Sequence, residues 1–215
     1  ERNSTVIVSG RAKADLERWF GKIPNLWLAA EHGAVLRQPG SSEWDSSHPN
    51  VPDNWKSEVF EVLEHFADRT PGSYVEEKDY SLVWHYRMSD PEFGEWLANE
   101  LNSTLDELLA DTQLRAVQGR KNVEVKLIWA NKADVLAQMT HDEPGFDLIM
   151  AAGDDTTDED AFETLQERDH GLGIAVLTEP RPTAAAWAVA SPEEARLFLE
   201  RLAGELEAAL TGPSP

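Results

Sequence analysis

Directly after an apolar run, Phe146 to Ala151, the chain reads Gly153-Asp154-Asp155-Thr156-Thr157-Asp158-Glu159-Asp160. Four of these eight residues are aspartates, and carboxylates so close repel one another unless a divalent cation or a helix N-terminus compensates them. Oxygen-only ligands suit magnesium, and the loop that leaves a strand is where open α/β sheets place ligands. The plainer use of the same residues is N-capping by Thr157 or Asp158, with Asp160 in the first helical turn. A calcium EF-hand does not fit, because Glu159 stands where that loop needs glycine. A second apolar run, Thr5 to Val8, ends in Ser9-Gly10-Arg11, so a hydroxyl and backbone N–H groups meet at a helix start, an anion site. Lys132 opens a later helical pattern. Metal carboxylates, a hydroxyl and a lysine, each near a strand's end, are what phosphoryl transfer needs to neutralise charge. A cap for Ser9 and a solvated surface for Lys132 are the simpler readings.

The elements that must position these residues follow a rhythm of apolar run, polar turn and helical pattern, the mark of an α/β chain around a largely parallel sheet. Strands are expected at Thr5 to Val8, Leu26 to Ala30, Phe146 to Ala151 and Leu172 to Val176, with Ala34 to Leu36 pairing back as a hairpin. Helices are expected around Ala14 to Phe20, Asn131 to Met139, Asp158 to Glu167 and Pro192 to Leu210, the last with Ala195, Leu199, Leu202 and Leu206 on one side. Between these halves a different pattern intervenes. A Ser-, Pro- and Asn-rich loop from Gln38 to Asn54 leads to a helix from Trp55 to Phe66 and a strand pair, Ser73 to Glu77 and Tyr80 to Arg87, joined at Lys78-Asp79. A long amphipathic helix, Pro91 to Leu109, carries Phe93, Trp96, Leu97, Leu101, Leu105 and Leu108 as its stripe, with Trp96 read as core. Two more strands follow, Leu114 to Val117 and Val123 to Ile128. The organisation expected is a core of residues 1–37 and 129–215, interrupted by an inserted α+β cap over residues 38–128.

The chain has 215 residues and a formal net charge of −21, from 19 Lys and Arg against 40 Asp and Glu. Such a field disfavours nucleic acid and anionic membranes as partners. Cysteine is absent, which excludes disulfides, thiolate nucleophiles and Cys-ligated metal. No apolar run nears the length of a spanning helix and the N-terminus lacks a signal-peptide pattern, so a cytoplasmic protein is expected. The first residue is Glu1 rather than Met, so the start is processed or the sequence is cut.

The segments VIVSGR, LAAEHGAVLR, EEKDYSLVWHYR, GRKNVEVK and GDDTTDEDAF, in this order, resemble the trehalose-6-phosphate phosphatases of the haloacid dehalogenase-like superfamily. The similarity runs from Val6 to the closing helix and is nearest to the phosphatase domain of bifunctional synthase/phosphatase proteins. It implies a Rossmannoid α/β core with an inserted cap, and magnesium-dependent hydrolysis of trehalose 6-phosphate through an aspartyl-phosphate. Ser9 would match the hydroxyl that binds the phosphoryl group, Lys132 the lysine that steadies it, and Asp154 with Asp158 the magnesium carboxylates. Arg11, Glu31, His32, Lys78, Arg120 and Glu124 match charged positions that would meet the substrate, and a trehalose-phosphate synthase domain would be the partner in the same parent chain. His85 and Arg87 read as structural.

Two departures accompany the resemblance. The family's Asn-Lys-Gly is Asn131-Lys132-Ala133 here, which keeps the amine. The family's Asp-x-Asp-Gly-Thr motif, source of the nucleophile and the general acid, is not in the sequence, so the first, central strand of the core is expected to be missing and the chain to be inactive alone. Its neighbouring strands would then show open edges. The alternative is a non-catalytic sugar-phosphate-binding or regulatory module associated with a synthase.

Overall fold

A computed structural model describes residues 3–46, 54–141 and 145–211. Part of the expected Gln38 to Asn54 loop, residues 47–53, lies outside the described residues. Two compact units divide the chain, residues 1–135 and 136–215.

In the first unit, strand β1 (Thr5–Val8), helix α1 (Lys13–Phe20) and strand β2 (Leu26–Ala30) form a β-α-β start, with Thr5 opposite Leu26 and Val8 opposite Ala29 in parallel register. Strand β3 (Val35–Arg37) turns back against β2, and β4 (Asp45–Ser46) adds to β3. Leu16 from α1 packs with Leu26, Leu28, Ala30 and Val35 to make a small core.

The second sheet of this unit is antiparallel throughout. Helix α2 (Trp55–Arg69) precedes β5 (Tyr74–Glu77) and β6 (Ser81–His85), and helix α3 (Pro91–Leu109) precedes β7 (Leu114–Gly119) and β8 (Asn122–Leu127), in the order β5-β6-β8-β7. Asp90 caps α3 by accepting from the Phe93 N–H at 2.9 Å, with Pro91 at the first helical position where no N–H is needed. The larger core joins Val59, Leu63 and Phe66 of α2, Leu97, Leu101 and Leu105 of α3, and Leu82, Trp84, Val123, Val125 and Leu127 of the sheet. Tyr80 packs against both cores.

Trp96, expected in the core, is 56% exposed, and Phe93 is exposed too. The covered face of α3 runs through Gly94, Leu97, Ala98, Leu101 and Leu105, and the two aromatics stand on its flank, stacked on each other with ring centroids 6.0 Å apart.

Helix α4 (Lys132–His141) begins at the end of the first unit. The second unit holds β9 (Ile149–Gly153), helix α5 (Glu159–Gln166), β10 (Gly171–Val176), β11 (Trp187–Val189) and helix α6 (Pro192–Thr211), with the strands parallel in the order β11-β10-β9. Pairing starts only at Ile149, opposite Gly171, so the expected strand from Phe146 is displaced towards its C-terminal end. β4 and β11 were not expected, since two or three residues carry no periodicity. Leu199 and Leu206 of the α6 stripe are exposed. Among the described residues β1 in the mixed sheet and β9 in the parallel sheet are edge strands, each paired on one side only.

Candidate active site

The turn that leaves β1 is held from behind by three hydrogen bonds. The Ser9 carbonyl accepts from the His32 N–H at 2.9 Å, the Arg11 carbonyl from the Glu31 N–H at 3.0 Å, and the Gly10 carbonyl from Lys78 Nζ at 3.0 Å. The Arg11 N–H meets Ser9 Oγ at 3.3 Å. Three consecutive carbonyls tied into the fold leave the Ser9 hydroxyl and the start of α1 as the groups an anion can meet.

Behind this turn lies a charged cluster buried in the first unit. Glu31 and His32 follow β2 with left-handed backbone angles, φ 48° and 62°, a conformation that costs a non-glycine residue about 1 kcal/mol or more. Their side chains account for it. The Glu31 carboxylate, 2% exposed, accepts from the N–H groups of Tyr80 at 2.6 Å and Asp79 at 3.3 Å, which fix the β5–β6 turn. His32 Nε2 lies 3.0 Å from Glu124 Oε2 on β8, while Glu124 Oε1 accepts from Ser81 Oγ at 2.8 Å and from Lys78 Nζ at 3.3 Å.

The electrostatics follow from these partners. Burial first of all raises the Glu31 carboxyl above its ordinary pKa, and it lowers His32 below that of a free imidazole. Burial would raise Glu124 too, but the bonds from His32 and Ser81 and the charge of Lys78 outweigh it and hold the carboxyl down at about 2. At neutral pH the cluster therefore contains an ionised Glu124 and a neutral His32. Neutral His32 donates from Nε2, and its Nδ1 is buried with no hydrogen-bond partner among the described residues.

Lys132 is the first residue of α4 and half-buried. Asn131 caps that helix, its Oδ1 accepting from the Asp134 N–H at 2.8 Å.

In the second unit the aspartates after β9 form a tight local structure. Asp155 and Asp158 make a capping box around the 3-10 turn Thr156–Asp158: Asp155 Oδ1 accepts from the Thr156 N–H at 2.7 Å, and Asp158 Oδ2 from the Asp155 N–H at 2.9 Å. Gly153 permits this, since a Cβ there would overlap the Asp158 carboxylate. Arg181 then braces the loop, donating to the carbonyls of Asp155 at 3.2 Å and Asp154 at 3.4 Å and pairing with Glu159. Glu159 also accepts from the Ala184 N–H at 2.7 Å and Thr183 Oγ1 at 3.0 Å.

Capping, the plainer of the two expected uses, is thus what occupies one oxygen of Asp158. The Asp154 side chain is exposed and its carboxylate takes no hydrogen bond among the described residues. Among those residues no three His, Asp or Glu side chains group to hold a metal ion. Asp154 and Asp158 fit magnesium in kind, as two oxygen donors of an octahedral shell.

Of the expected residues, the structure joins Glu31, His32, Lys78 and Glu124 to one another and to the Ser9 turn. Arg11 is exposed, its guanidinium 5.0 Å from the Trp19 ring, and Arg120 is exposed on the β7–β8 turn. His85 is tied up structurally, 2.7 Å from Glu76 and stacked on Tyr74. Sequence reasoning missed Ser81 and Arg181. Ser81 sits inward at a strand start, a signal that alternation could have supplied, whereas nothing local marks Arg181.

The trehalose-phosphatase family model matches residues 1–193. UDP-forming alpha,alpha-trehalose-phosphate synthase B of Dictyostelium discoideum is 39% identical over 164 residues, 76% of this chain and 20% of that protein. A trehalose-phosphatase of Schizosaccharomyces pombe is 34% identical over 200 residues, 89% of this chain and 24% of that protein. The chain thus spans about a fifth to a quarter of the length of these curated relatives. The C-terminal domain of Candida albicans trehalose-6-phosphate phosphatase superposes with a TM-score of 0.84 at 29% identity, covering 93% of this chain and 77% of that one. With buried charges set behind a Ser-Gly-Arg turn and a family match over most of its length, the chain belongs to the trehalose-phosphatase family and has the haloacid dehalogenase-like α/β fold.

Proposed function

We propose that the chain is the phosphatase portion of a protein that hydrolyses trehalose 6-phosphate to trehalose and phosphate in the cytoplasm, with residues 38–128 as a substrate-reading cap. The observation that carries this reading is the tie from Lys78 and Glu124, residues of that cap, to the Ser9 turn. A phosphoryl oxygen placed at the turn meets the Ser9 hydroxyl and backbone N–H groups, and Lys132 offsets its charge. Sugar hydroxyls are matched by Lys78 and Arg120 as donors and by Glu124 as acceptor, with Arg11 beside the turn and Glu31 and His32 behind them. Asp154 and Asp158 would hold magnesium, which when bound lowers the electrostatic cost of the charge on the phosphoryl oxygens. The Dictyostelium relative's name supports a synthase domain as a partner in the same chain.

No Asp-x-Asp-Gly-Thr motif occurs in the 215 residues, which favours a second reading, a non-catalytic sugar-phosphate-binding module. One experiment separates the two. Phosphate release from trehalose 6-phosphate is measured for the chain alone and for the chain preceded by the Asp-x-Asp-Gly-Thr segment of a family member, with magnesium and with EDTA. The phosphatase reading expects no release from the first and EDTA-sensitive release from the second. A folded chimera that binds trehalose 6-phosphate without hydrolysing it would leave the module.

A further inference from the structure

We propose that His32 and Glu31 are positioning residues that weld the phosphate turn to the sugar-reading cluster, His32 acting as a neutral Nε2–H donor that touches no substrate. The proposal rests on the phosphatase reading for what the two ends bind, but the weld itself rests on geometry.

Each residue faces two ways. Their backbone N–H groups hold the carbonyls of Ser9 and Arg11, while their side chains hold the cap: Glu31 the N–H groups of Asp79 and Tyr80, His32 the Glu124 carboxylate. Lys78 closes the ring, bonded to both the Gly10 carbonyl and Glu124. The Nε2 side of the imidazole also packs close against the turn, because a Cβ on Gly10 would stand 2.5 Å from His32 Nε2. A glycine is therefore required at position 10 for His32 to reach Glu124. The left-handed angles at both residues are what allow the backbone to point at one partner and the side chain at another, and strain of this kind persists only where contacts over-determine it.

The state of the ring is fixed by its surroundings. Glu124 faces Nε2, Lys126 on β8 and Lys132 on α4 both disfavour a positive ring, and Nδ1 has no acceptor among the described residues that would welcome a second proton. Nε2 has one proton to give and gives it to Glu124, and Nδ1 is buried, so neither ring nitrogen is open to the sugar.

The test is nitrogen NMR on the 215-residue chain with labelled histidine, the His32 signal being assigned by its loss in His32→Gln. The expected result is a neutral ring with the proton on Nε2 at pH 7, and no titration at the pH where the exposed histidines titrate. His32→Leu should shift the Gly10 amide and the Lys78 Nζ signals together, and His32→Gln, whose side-chain amide can still donate to Glu124, should restore most of both. An imidazolium or an Nδ1–H ring at pH 7 overturns the proposal, as do unchanged Gly10 and Lys78 signals in His32→Leu. Should His32→Leu not fold, the wild-type ring state and its displacement in Glu124→Gln decide. Absence of trehalose 6-phosphate hydrolysis by the chimera would remove the phosphatase reading and leave the weld standing, whereas a wrong ring state removes the weld alone.

Discussion

The two units treat their carboxylates in opposite ways. In the first, Glu31 and Glu124 are buried and every oxygen is met by an N–H, a hydroxyl, a lysine or His32. In the second, Glu159 is held by Arg181, Thr183 and Ala184, but in the aspartate loop before it Asp158 is drawn in by a capping box that the loop makes with itself and Asp154 is left in solvent. A protein that supplies its own counter-charges has a finished site, rigid before any ligand arrives. A loop that leaves a carboxylate unmatched is arranged for a cation from outside, and Arg181 and the capping box keep it from flying apart meanwhile.

The sharpest break in that contrast is Glu124→Leu. Removing the carboxylate takes the acceptor from buried His32 and Ser81 and from half-buried Lys78, which costs about 3–5 kcal/mol. Denaturant titration should show a loss of that order, with amide exchange in β9 and β10 unchanged if the units respond separately. A loss below about 1 kcal/mol would mean that the cluster is solvated and the contrast false.

The acid limb of stability comes next. His32 lies below its ordinary 6.5, so its contribution is complete above that pH and is lost as pH falls through its folded value. Glu124, ordinarily near 4.5 and here about 2, contributes fully above 4.5 and loses that contribution as pH falls towards 2. Glu31 runs the other way: its raised pKa gives stability below 4.5 that is lost as pH rises through its folded value. Between pH 6.5 and 4.5 His32 and Glu31 act against each other, so on acidification the wild-type melting midpoint should lose more, or gain less, than that of His32→Gln. Equal slopes would show that His32 is not the group titrating.

Gly153→Ala tests the second unit. The added methyl displaces the Asp158 carboxylate from the Asp155 N–H, for about 1–3 kcal/mol, and amide exchange at Asp155 should quicken. Unaltered protection there would mean that the loop has room to spare. The smallest effect on stability belongs to Asp154→Asn, within about 0.5 kcal/mol. Magnesium should bind the chain weakly by calorimetry, with or without the change, because two carboxylates are a partial shell. Tight, stoichiometric binding that Asp154→Asn abolishes would show a complete site.

Much of this was legible in the sequence wherever one element carried its own signal. The β-branched run at Thr5–Val8, the stripe of Leu97, Leu101 and Leu105 and the loop after β9 could be placed from local pattern alone. The family resemblance put Glu31, His32, Lys78 and Glu124 among the candidates. What the pattern could not supply was who meets whom. Glu31 finds its donors 48 and 49 residues away, and His32 finds Glu124 at a separation of 92. Hydropathy also cannot say which flank of α3 is covered, so the stripe takes in Trp96 and Phe93, which stand beside the covered face of Gly94, Leu97, Leu101 and Leu105. The aspartates read as metal ligands by type, while the share of them spent on capping depends on the angles of a 3-10 turn.

The left-handed pair at Glu31 and His32 has a consequence for what substitutions the chain tolerates. Glycine at either position would relax the backbone at once. A library randomised there and sorted for heat resistance alone would have two routes: relief of the twisted peptide, or retention of the side chains that bridge both partners. Sorting the same library for sugar-phosphate capture should admit only the second. A divergence between the two sorted pools would measure how far this short stretch was shaped by recognition rather than by endurance.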